Sequence, residues 1–211
     1  MYVQPSFGET DPEKLLALAA RYPFATVITP GVDELWVSHV PLLVRRRDEA
    51  VVLAGHLARA NAHWQAMEKA EGVPTTAIFH GPHAYVSPTW YATSPAVPTW
   101  NYVVVHAVGK TRVHHDGPEL ADLLRELTKL YEGRHPGAWS PDRLPDDFAQ
   151  AMRGAIVGFE LAVDRLEGKV KLSQNRSADD RRGVIAQLEA QTSEDARSVA
   201  ALMRETESSE A

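Results

Sequence analysis

The 211-residue sequence contains no cysteine. This absence excludes disulfide bonds, thiolate catalysis and zinc or iron–sulfur centres held by cysteine, and it favours a reducing compartment. No apolar run approaches the ~18 residues that a membrane span needs, and the N-terminal residues 1–6 lack the basic and apolar regions of a signal peptide. We therefore expect a cytoplasmic protein without a membrane partner.

Several catalytic and cofactor motifs are also missing. There is no Gly-x-Gly-x-x-Gly, Walker or Gly-x-Ser-x-Gly sequence, which argues against a Rossmann dinucleotide site, a P-loop and a serine hydrolase. The nine histidines include no His-Glu-x-x-His pattern, so we predict no metal site. The net charge of −6 argues against a generally basic, nucleic-acid-coating surface, although a local basic patch would survive that average.

The segment from Phe79 to Tyr102 concentrates proline and aromatic residues, with four prolines, two tryptophans and three tyrosines among its members. Proline fixes φ and removes a hydrogen-bond donor, so we expect this segment to be a rigid loop, and neither a helix nor a central strand. Rigid loops often carry binding residues. The residues themselves leave two interpretations open: the wall of a ligand site, or an aromatic plug that closes the end of a barrel.

Hydrophobic periodicity predicts strands that alternate with a few helices. Strands are predicted at residues 24–29, 35–44, 51–57, 75–79, 102–113 and 157–163. Helices are predicted from Pro12, over 59–70, from Pro118, over 148–156, and in a C-terminal pair at about 177–205 that Ser177 opens. The nearly continuous apolar run at 102–113 predicts a strand that is buried on both faces, and the alternation at 157–163 predicts one that is buried on a single face. This order predicts a single α+β domain over 1–211, built on a barrel of antiparallel strands.

Two segments have the chemistry to hold an anion. In Gly55 to Asn61 a strand end turns into a helix start, where free backbone N–H groups and the Arg59 guanidinium suit a phosphate, although a solvated surface arginine gives the same pattern. The second segment, 169–176, contains lysine, arginine and amide side chains before the next helix. It suits a second phosphate edge, the polar atoms of a flat heterocycle or a nucleic-acid backbone, and an exposed charged loop would look the same.

Five segments in order resemble the PaiB family, which is described as FMN-binding negative transcriptional regulators related to the flavin split barrels of pyridoxamine phosphate oxidase type. The resemblance runs from Met1 to about Glu189. The segments are Gly55-His56-Leu57-Ala58-Arg59-Ala60-Asn61, Phe79-His80-Gly81-Pro82-His83-Ala84-Tyr85, Val97-Pro98-Thr99-Trp100-Asn101-Tyr102, Ile156-Val157-Gly158-Phe159-Glu160 and Lys171-Leu172-Ser173-Gln174-Asn175-Arg176.

The resemblance implies an antiparallel six-stranded FMN-binding split β-barrel with peripheral helices, which forms a homodimer and holds FMN in the cleft between two subunits. It implies that His56, Arg59 and Asn61 bind the FMN phosphate. It also implies that Trp100 and Asn101 lie against the flavin ring. The residues that would reach the cofactor from the same or the other subunit are Lys171, Gln174, Asn175 and Arg176.

The sequence departs from the family pattern at Ser94, where the family has a lysine, and has Thr89 for serine and Val170 for phenylalanine. The missing lysine removes a cation that would lie near the flavin. The resemblance implies a PaiB-type negative regulator. A flavin reductase or oxidase that uses the same dimer cleft is the alternative. Direct DNA binding through the arginines at 176, 181 and 182 is a third hypothesis, which the neighbouring acidic residues Asp179 and Asp180 oppose by repelling phosphate.

Overall fold

The protein is described by a computed structural model, which covers residues 1–70, 73–133, 137 and 139–210, without the side chains of 207–210. The strands are β1 (Gly8–Glu9), β2 (Phe24–Pro30), β3 (Leu35–Pro41), β4 (Leu43–Arg47), β5 (Ala50–Ala58), β6 (Thr75–Val86), β7 (Thr99–His114) and β8 (Ile156–Lys171). The helices are α1 (Pro12–Arg21), α2 (His63–Lys69), α3 (Pro118–Glu132), α4 (Asp146–Gly154), α5 (Ala178–Glu189) and α6 (Glu194–Glu210). The α+β class is confirmed.

The strands form one sheet in the order β3-β2-β6-β7-β8-β5-β4, with β1 added beside β8. The β2–β3, β4–β5 and β5–β8 pairs are antiparallel, and the last runs from Val52 opposite Ala162 to Ala58 opposite Ile156. The described strands number eight where six were expected. The predicted strand 35–44 divides at Leu42, whose N–H donates to the Pro23 carbonyl at 2.9 Å. The chain there leaves its pairing with β2 and begins to pair with β5.

The chain forms two compact units. One contains residues 19–78 and 107–166. In it, α3 begins at Pro118, directly after Gly117 at φ +97°, and turns its leucine stripe toward β4 and β5. The helix and the two strands bury one hydrophobic cluster, which consists of Leu43, Ala54, Leu120, Leu123 and Leu127. Apolar residues three and four apart thus build this helix face, as the sequence predicts.

The other unit contains residues 1–18, 79–106 and 167–211. Its core is formed by α5 and α6 on the strand segments 84–86, 103 and 170–172. Ser177 accepts a hydrogen bond from the Asp180 N–H at 3.2 Å, so the predicted cap of α5 is confirmed. The prediction of a single domain over residues 1–211 stays a prediction.

The expectation that Phe79 begins a loop is wrong for its first eight residues, because β6 continues to Val86 through Gly81 and Pro82. The strand lies between β2 and β7 in the sheet. Strand β2 has seven residues and β6 twelve, so some positions of β6 have no partner in β2, and at such a position a proline removes no hydrogen bond. The irregular part of the segment is confined to residues 87–98.

Two predicted burial patterns are also wrong. Strand β7 does not bury both faces, since buried and half-buried residues alternate from Asn101 to Gly109. Strand β8 does bury both faces over residues 157–161. Gly158 lets α3 approach, because a Cβ there would lie 3.1 Å from the Leu120 side chain, and Glu160 is buried among arginines. The alternation of apolar and polar residues in β8 predicts one solvent-exposed face, but helix packing and ion pairing bury that face here.

Candidate functional site

A cavity of about 540 Å³ lies between β3 and β5, two strands that are not neighbours in the hydrogen-bonded sheet. Its lining residues are Val37, Ser38, His39, Val40, His56, Leu57, Ala58, Asn61 and Ile156. Cavities of this size suit small organic ligands, and this one combines an apolar lining with a few polar groups. Two of the predicted site residues, His56 and Asn61, therefore lie in one cavity.

The ring nitrogen Nδ1 of His56 is buried and has no hydrogen-bond partner among the described residues. Burial lowers the pKa of His56, so its imidazole is neutral at pH 7. A buried polar atom without a partner is unfavourable, and it commonly marks a place where a ligand or water completes the bond. His56 therefore gives the cavity a neutral group that can donate or accept one hydrogen bond.

Asn61 is held in a network that reaches from the cavity into the core. Its amide Nδ2 donates to Ser38 Oγ at 3.1 Å, and its Oδ1 accepts from the His63 backbone N–H at 3.0 Å. Ser38 Oγ lies 2.8 Å from His63 Nδ1, and His63 Nε2 lies 2.9 Å from Thr29 Oγ1. The Thr29 hydroxyl in turn lies 2.8 Å from the Thr75 hydroxyl. Every member beyond Asn61 is buried, so the network is rigid.

His63 is neutral in this network, because burial lowers its pKa to about 4. A neutral imidazole donates through one nitrogen and accepts through the other, which matches its two hydroxyl neighbours. Neither Ser38 nor His63 was among the predicted site residues. The only signal for Ser38 was the pair of polar residues, Ser38 and His39, inside an otherwise apolar strand, and no pattern marked His63.

Arg59 lies on the same strand end, but its guanidinium is turned toward backbone carbonyls. Nε donates to Gly154 O at 2.6 Å, and Nη2 donates to His115 O at 2.7 Å and to Ile156 O at 2.8 Å. The prediction that a helix begins at residue 59 is wrong, since α2 begins at His63 and the Arg59 N–H donates to Ala155 O. Arg59 lines a second cavity, of about 600 Å³, together with His115 and Arg153.

In the other unit, Trp100 presents an aromatic face. Its ring is 52% exposed and lies 6.0 Å from the Tyr85 ring and 6.1 Å from the His83 ring, measured between centroids. A large exposed aromatic ring is suited to stacking on a flat ligand. The neighbouring Asn101 is fully buried, where its Nδ2 donates to Ser173 Oγ at 2.9 Å. Trp100 is thus available for contact, and Asn101 acts as an internal support.

The remaining predicted residues lie near the end of β8 and the turn after it. Lys171 donates to Thr99 Oγ1, and partial burial lowers its pKa. Gln174 is used locally, accepting from the Leu172 N–H at 2.7 Å and donating to Val170 O at 2.5 Å. Arg176 lies over the Tyr91 ring at 4.2 Å, and Asn175, the residue before it, is exposed. This end of the unit is basic, as the sequence predicts, and the Tyr91 ring adds an aromatic contact.

The described residues show no group of three or more His, Cys, Asp or Glu side chains placed to hold a metal ion. Among the helices in the described ranges, none is both long and apolar enough to cross a membrane.

Residues 1–165 match the family model described as "Putative FMN-binding domain". The chain belongs to the PaiB family of FMN-binding proteins. It is 34% identical over 207 residues to "Protease synthase and sporulation protein PAI 2" of Bacillus subtilis, covering 97% of both chains. This PaiB family member is also 29% identical to an uncharacterized protein of Aspergillus fumigatus, with 88% of this chain and 89% of that one covered.

Solved structures share the fold of this PaiB family member at low sequence identity. The flavocytochrome Anf3 of Azotobacter vinelandii superposes with a TM-score of 0.57 and 16% identity, covering 81% of this chain and 72% of that one. The FAD and heme binding protein of Mycobacterium smegmatis gives a TM-score of 0.55 and 18% identity, covering 83% and 78%. The cofactor of the PaiB family member is a flavin, FMN. Its chemistry fits the β3–β5 cavity, which offers an unpartnered His56 nitrogen and an Asn61 amide beside an apolar lining.

Proposed function

We propose that the sheet is a split barrel, a single domain with peripheral helices, and that FMN binds in the cavity between β3 and β5. The observation that carries this proposal is the cavity of about 540 Å³ lined by His56, whose buried Nδ1 has no partner among the described residues. His56 and Asn61 contact the cofactor there. When bound, FMN supplies the one- and two-electron redox chemistry of its ring system.

Arg59 supplies the positive charge for the FMN phosphate in this proposal. Three of its five N–H groups already donate to carbonyl oxygens, so at most two remain for a phosphate. Its carbonyl contacts also fix the strand end that carries His56 and Asn61. Arg59 therefore has two roles, as a charge for the phosphate and as a support for the two cavity residues.

We propose further that the protein is a homodimer, in which Trp100 stacks on the flavin ring and Asn101 holds the strand beneath it. Lys171, Gln174, Asn175 and Arg176 approach the cofactor from the end of β8. Support for dimerisation comes from exposed apolar side chains on β2 and β3, since Phe24 is 64%, Leu35 66% and Val37 50% exposed. Light scattering should give twice the chain mass of 23.3 kDa, and a monomer mass would contradict the proposal.

The role that we propose for this FMN protein is that of a PaiB-type negative transcriptional regulator in the cytoplasm. Family membership supports it. The α5 arginines give little support for direct DNA contact, because Arg181 is 6% exposed and donates to Thr206 Oγ1, and Arg182 is paired with Asp179. A gel shift over a salt series tests the role: sequence-selective binding is expected, and binding without sequence preference would contradict it. No specific contact favours the flavin reductase or oxidase alternative.

The cofactor proposal is tested by adding FMN to the purified apoprotein and following the flavin absorbance after gel filtration. We expect a yellow protein with one FMN per chain, and His56→Ala should weaken binding because it removes a side chain that lines the cavity and carries an unpartnered nitrogen. His39→Ala removes the other histidine of the same lining, at an exposed position, and should weaken binding less. A colourless protein after gel filtration would contradict FMN binding, and equal losses in the two variants would contradict the role of His56.

A further inference from the structure

We propose that the β3–β5 cavity recognises the hydroxylated ribityl chain of the flavin, with Asn61 and Ser38 as its contacts and buried His63 as the residue that positions both. The inference rests on the proposed function, since FMN must first bind in this cavity. It goes further by assigning a part of the cofactor to named atoms, and it separates this cavity from the phosphate.

The charge of the lining is the first argument. The described residues around the cavity include no lysine or arginine, and burial keeps His56 neutral by lowering its pKa. A phosphate dianion in such surroundings would lose hydration without a compensating charge, which is strongly unfavourable. Hydroxyl groups carry no charge and need only one donor and one acceptor each. The cavity therefore matches the uncharged polyol chain of the flavin better than its phosphate.

The orientation of Asn61 is the second argument. Its Oδ1 accepts from the His63 backbone N–H at 3.0 Å, so the amide nitrogen must face the other way. That nitrogen donates one N–H to Ser38 Oγ at 3.1 Å. Its second N–H has no acceptor within the described part of the chain, and Asn61 lines the cavity. Asn61 thus presents one fixed donor to a ligand oxygen.

The hydroxyl of Ser38 is the third argument. It lies between Asn61 and His63 Nδ1, and the network continues through Thr29 to Thr75. The protons of this network can all point toward the core or all toward the cavity, since each hydroxyl and a neutral imidazole both donate and accept. Ser38 therefore offers the cavity either a lone pair or its O–H. A ligand hydroxyl can use both forms, whereas a fully ionised phosphate oxygen can only accept.

Three flavins that differ in their side chains test the assignment. FMN, riboflavin and lumiflavin, which has a methyl group in place of the ribityl chain, are titrated against the full chain and its Ser38→Ala and Asn61→Ala variants, following flavin fluorescence. Each variant should lower the affinity for FMN and riboflavin by the same factor, roughly fivefold to tenfold for one hydrogen bond, and leave lumiflavin unchanged. Thr128→Val, which removes a hydroxyl bonded to Leu124 O on α3, is the control for a lost hydroxyl elsewhere.

The outcomes separate the two levels of the proposal. A wild-type chain that binds no flavin overturns the proposed function and this inference with it. Suppose that the wild type binds FMN. If both variants lose at least tenfold more affinity for FMN than for riboflavin, the cavity binds the phosphate. If they lose as much affinity for lumiflavin as for FMN, the cavity binds the ring. Either result overturns the inference while the proposed function stands.

A pair of amide substitutions tests the positioning role of His63. The amide of His63→Asn falls where the imidazole has Nδ1 and so still meets Ser38, whereas the amide of His63→Gln falls near Nε2 and meets Thr29 instead. Riboflavin affinity should stay within about twofold of wild type in His63→Asn and fall as in Ser38→Ala in His63→Gln. Thermal unfolding confirms that both variants fold. Equal riboflavin affinities in two folded variants would overturn the positioning role.

Discussion

Thr93 donates both its backbone N–H and its hydroxyl to the carboxylate of Asp180, at 2.9 and 2.7 Å. Asp180 is 1% exposed and lies in the first turn of α5, whereas Thr93 is exposed in the irregular segment 87–98. Arg176 adds a second attachment by packing over Tyr91. The irregular segment 87–98 is therefore held by the helix that follows β8, through contacts that are distant in sequence.

Asp180→Ala should release this segment. The substitution leaves the Thr93 N–H and hydroxyl without their acceptor, so the amide of Thr93 should exchange with solvent roughly tenfold to a hundredfold faster. Asp179→Ala is the control, because Asp179 occupies the same helical turn and pairs with exposed Arg182. Hydrogen exchange followed by mass spectrometry measures the protection of the segment in both variants. Equal protection of residues 87–98 in the two variants would show that the Thr93 contacts do not hold the segment.

Gly183 marks a third point of attachment, because a Cβ there would lie 2.2 Å from the Trp90 carbonyl oxygen. Gly183→Ala should lower the free energy of unfolding by about 1–3 kcal/mol, since overpacking outweighs the gain in helix propensity. Gly154→Ala in α4 meets nothing within 4 Å and should raise it by up to about 1 kcal/mol. Urea unfolding measures both changes. An equal gain in the two variants would mean that α5 can move away from Trp90.

The predicted and observed sites differ most where contacts span long sequence distances. His56 and Asn61 share the cavity because both belong to one strand end, a local pattern that the sequence shows directly. Ser38 and His63 meet across 25 residues, and the carbonyl partners of Arg59 lie 56–97 residues away. Hydrophobic periodicity predicts which face of a helix or strand a residue occupies. It does not predict which distant residue packs against that face.

Glu160 shows the same limit within the fold. Alternation in β8 predicted a solvent-facing glutamate, but the Glu160 side chain is only 8% exposed. Its carboxylate accepts hydrogen bonds from Arg47 at 2.6 and 2.8 Å and from Arg45 at 3.4 Å. His114 Nε2 also lies 3.4 Å from it. The arginines come from β4 and the histidine from β7, so only the assembled sheet creates the pocket for this carboxylate.

Glu160→Gln should therefore lower the free energy of unfolding by about 3 kcal/mol, because it removes the shared anion and leaves largely buried Arg45 with less compensation. Glu126→Gln is matched to it, since Glu126 also contacts Arg45, at 2.9 Å, but is 53% exposed. The loss there should be at most about 1 kcal/mol. Chemical denaturation at neutral pH compares them. Similar losses would indicate that the burial of Glu160 adds nothing to its ion pairs.

The pH dependence of stability should report His63. Its pKa is about 4 in the folded protein and 6.5 in the unfolded chain, so the unfolded state takes up the proton first as the pH falls. The network stabilises the fold fully above pH 6.5, and this contribution is lost between pH 6.5 and about 4, by at most about 3 kcal/mol. His63→Asn should show a flatter profile across that window. Parallel profiles for variant and wild type would contradict the neutral imidazole.

Arg59→Ala distinguishes the charge of Arg59 from its structural role. The substitution removes three hydrogen bonds to carbonyl oxygens, so the affinity for every flavin should fall as the strand end loosens. Only FMN carries a phosphate, and the loss of a charge-assisted bond should reduce FMN binding roughly tenfold to a hundredfold more than riboflavin binding. The loosened strand end lowers both affinities alike, so it leaves their ratio unchanged. A change in the ratio therefore reports the phosphate contact alone.

Arg125→Ala controls for the loss of one positive charge, because Arg125 is 68% exposed on α3 and pairs with Asp122. It should leave the ratio of FMN to riboflavin affinity unchanged at an ionic strength of about 0.15 M, where salt screens a distant exposed charge. An unchanged ratio in Arg59→Ala, with both affinities reduced, would make Arg59 a support for His56 and Asn61 alone. The phosphate would then have to be bound by other cations, of which Lys171 and Arg176 near the end of β8 are the next to substitute.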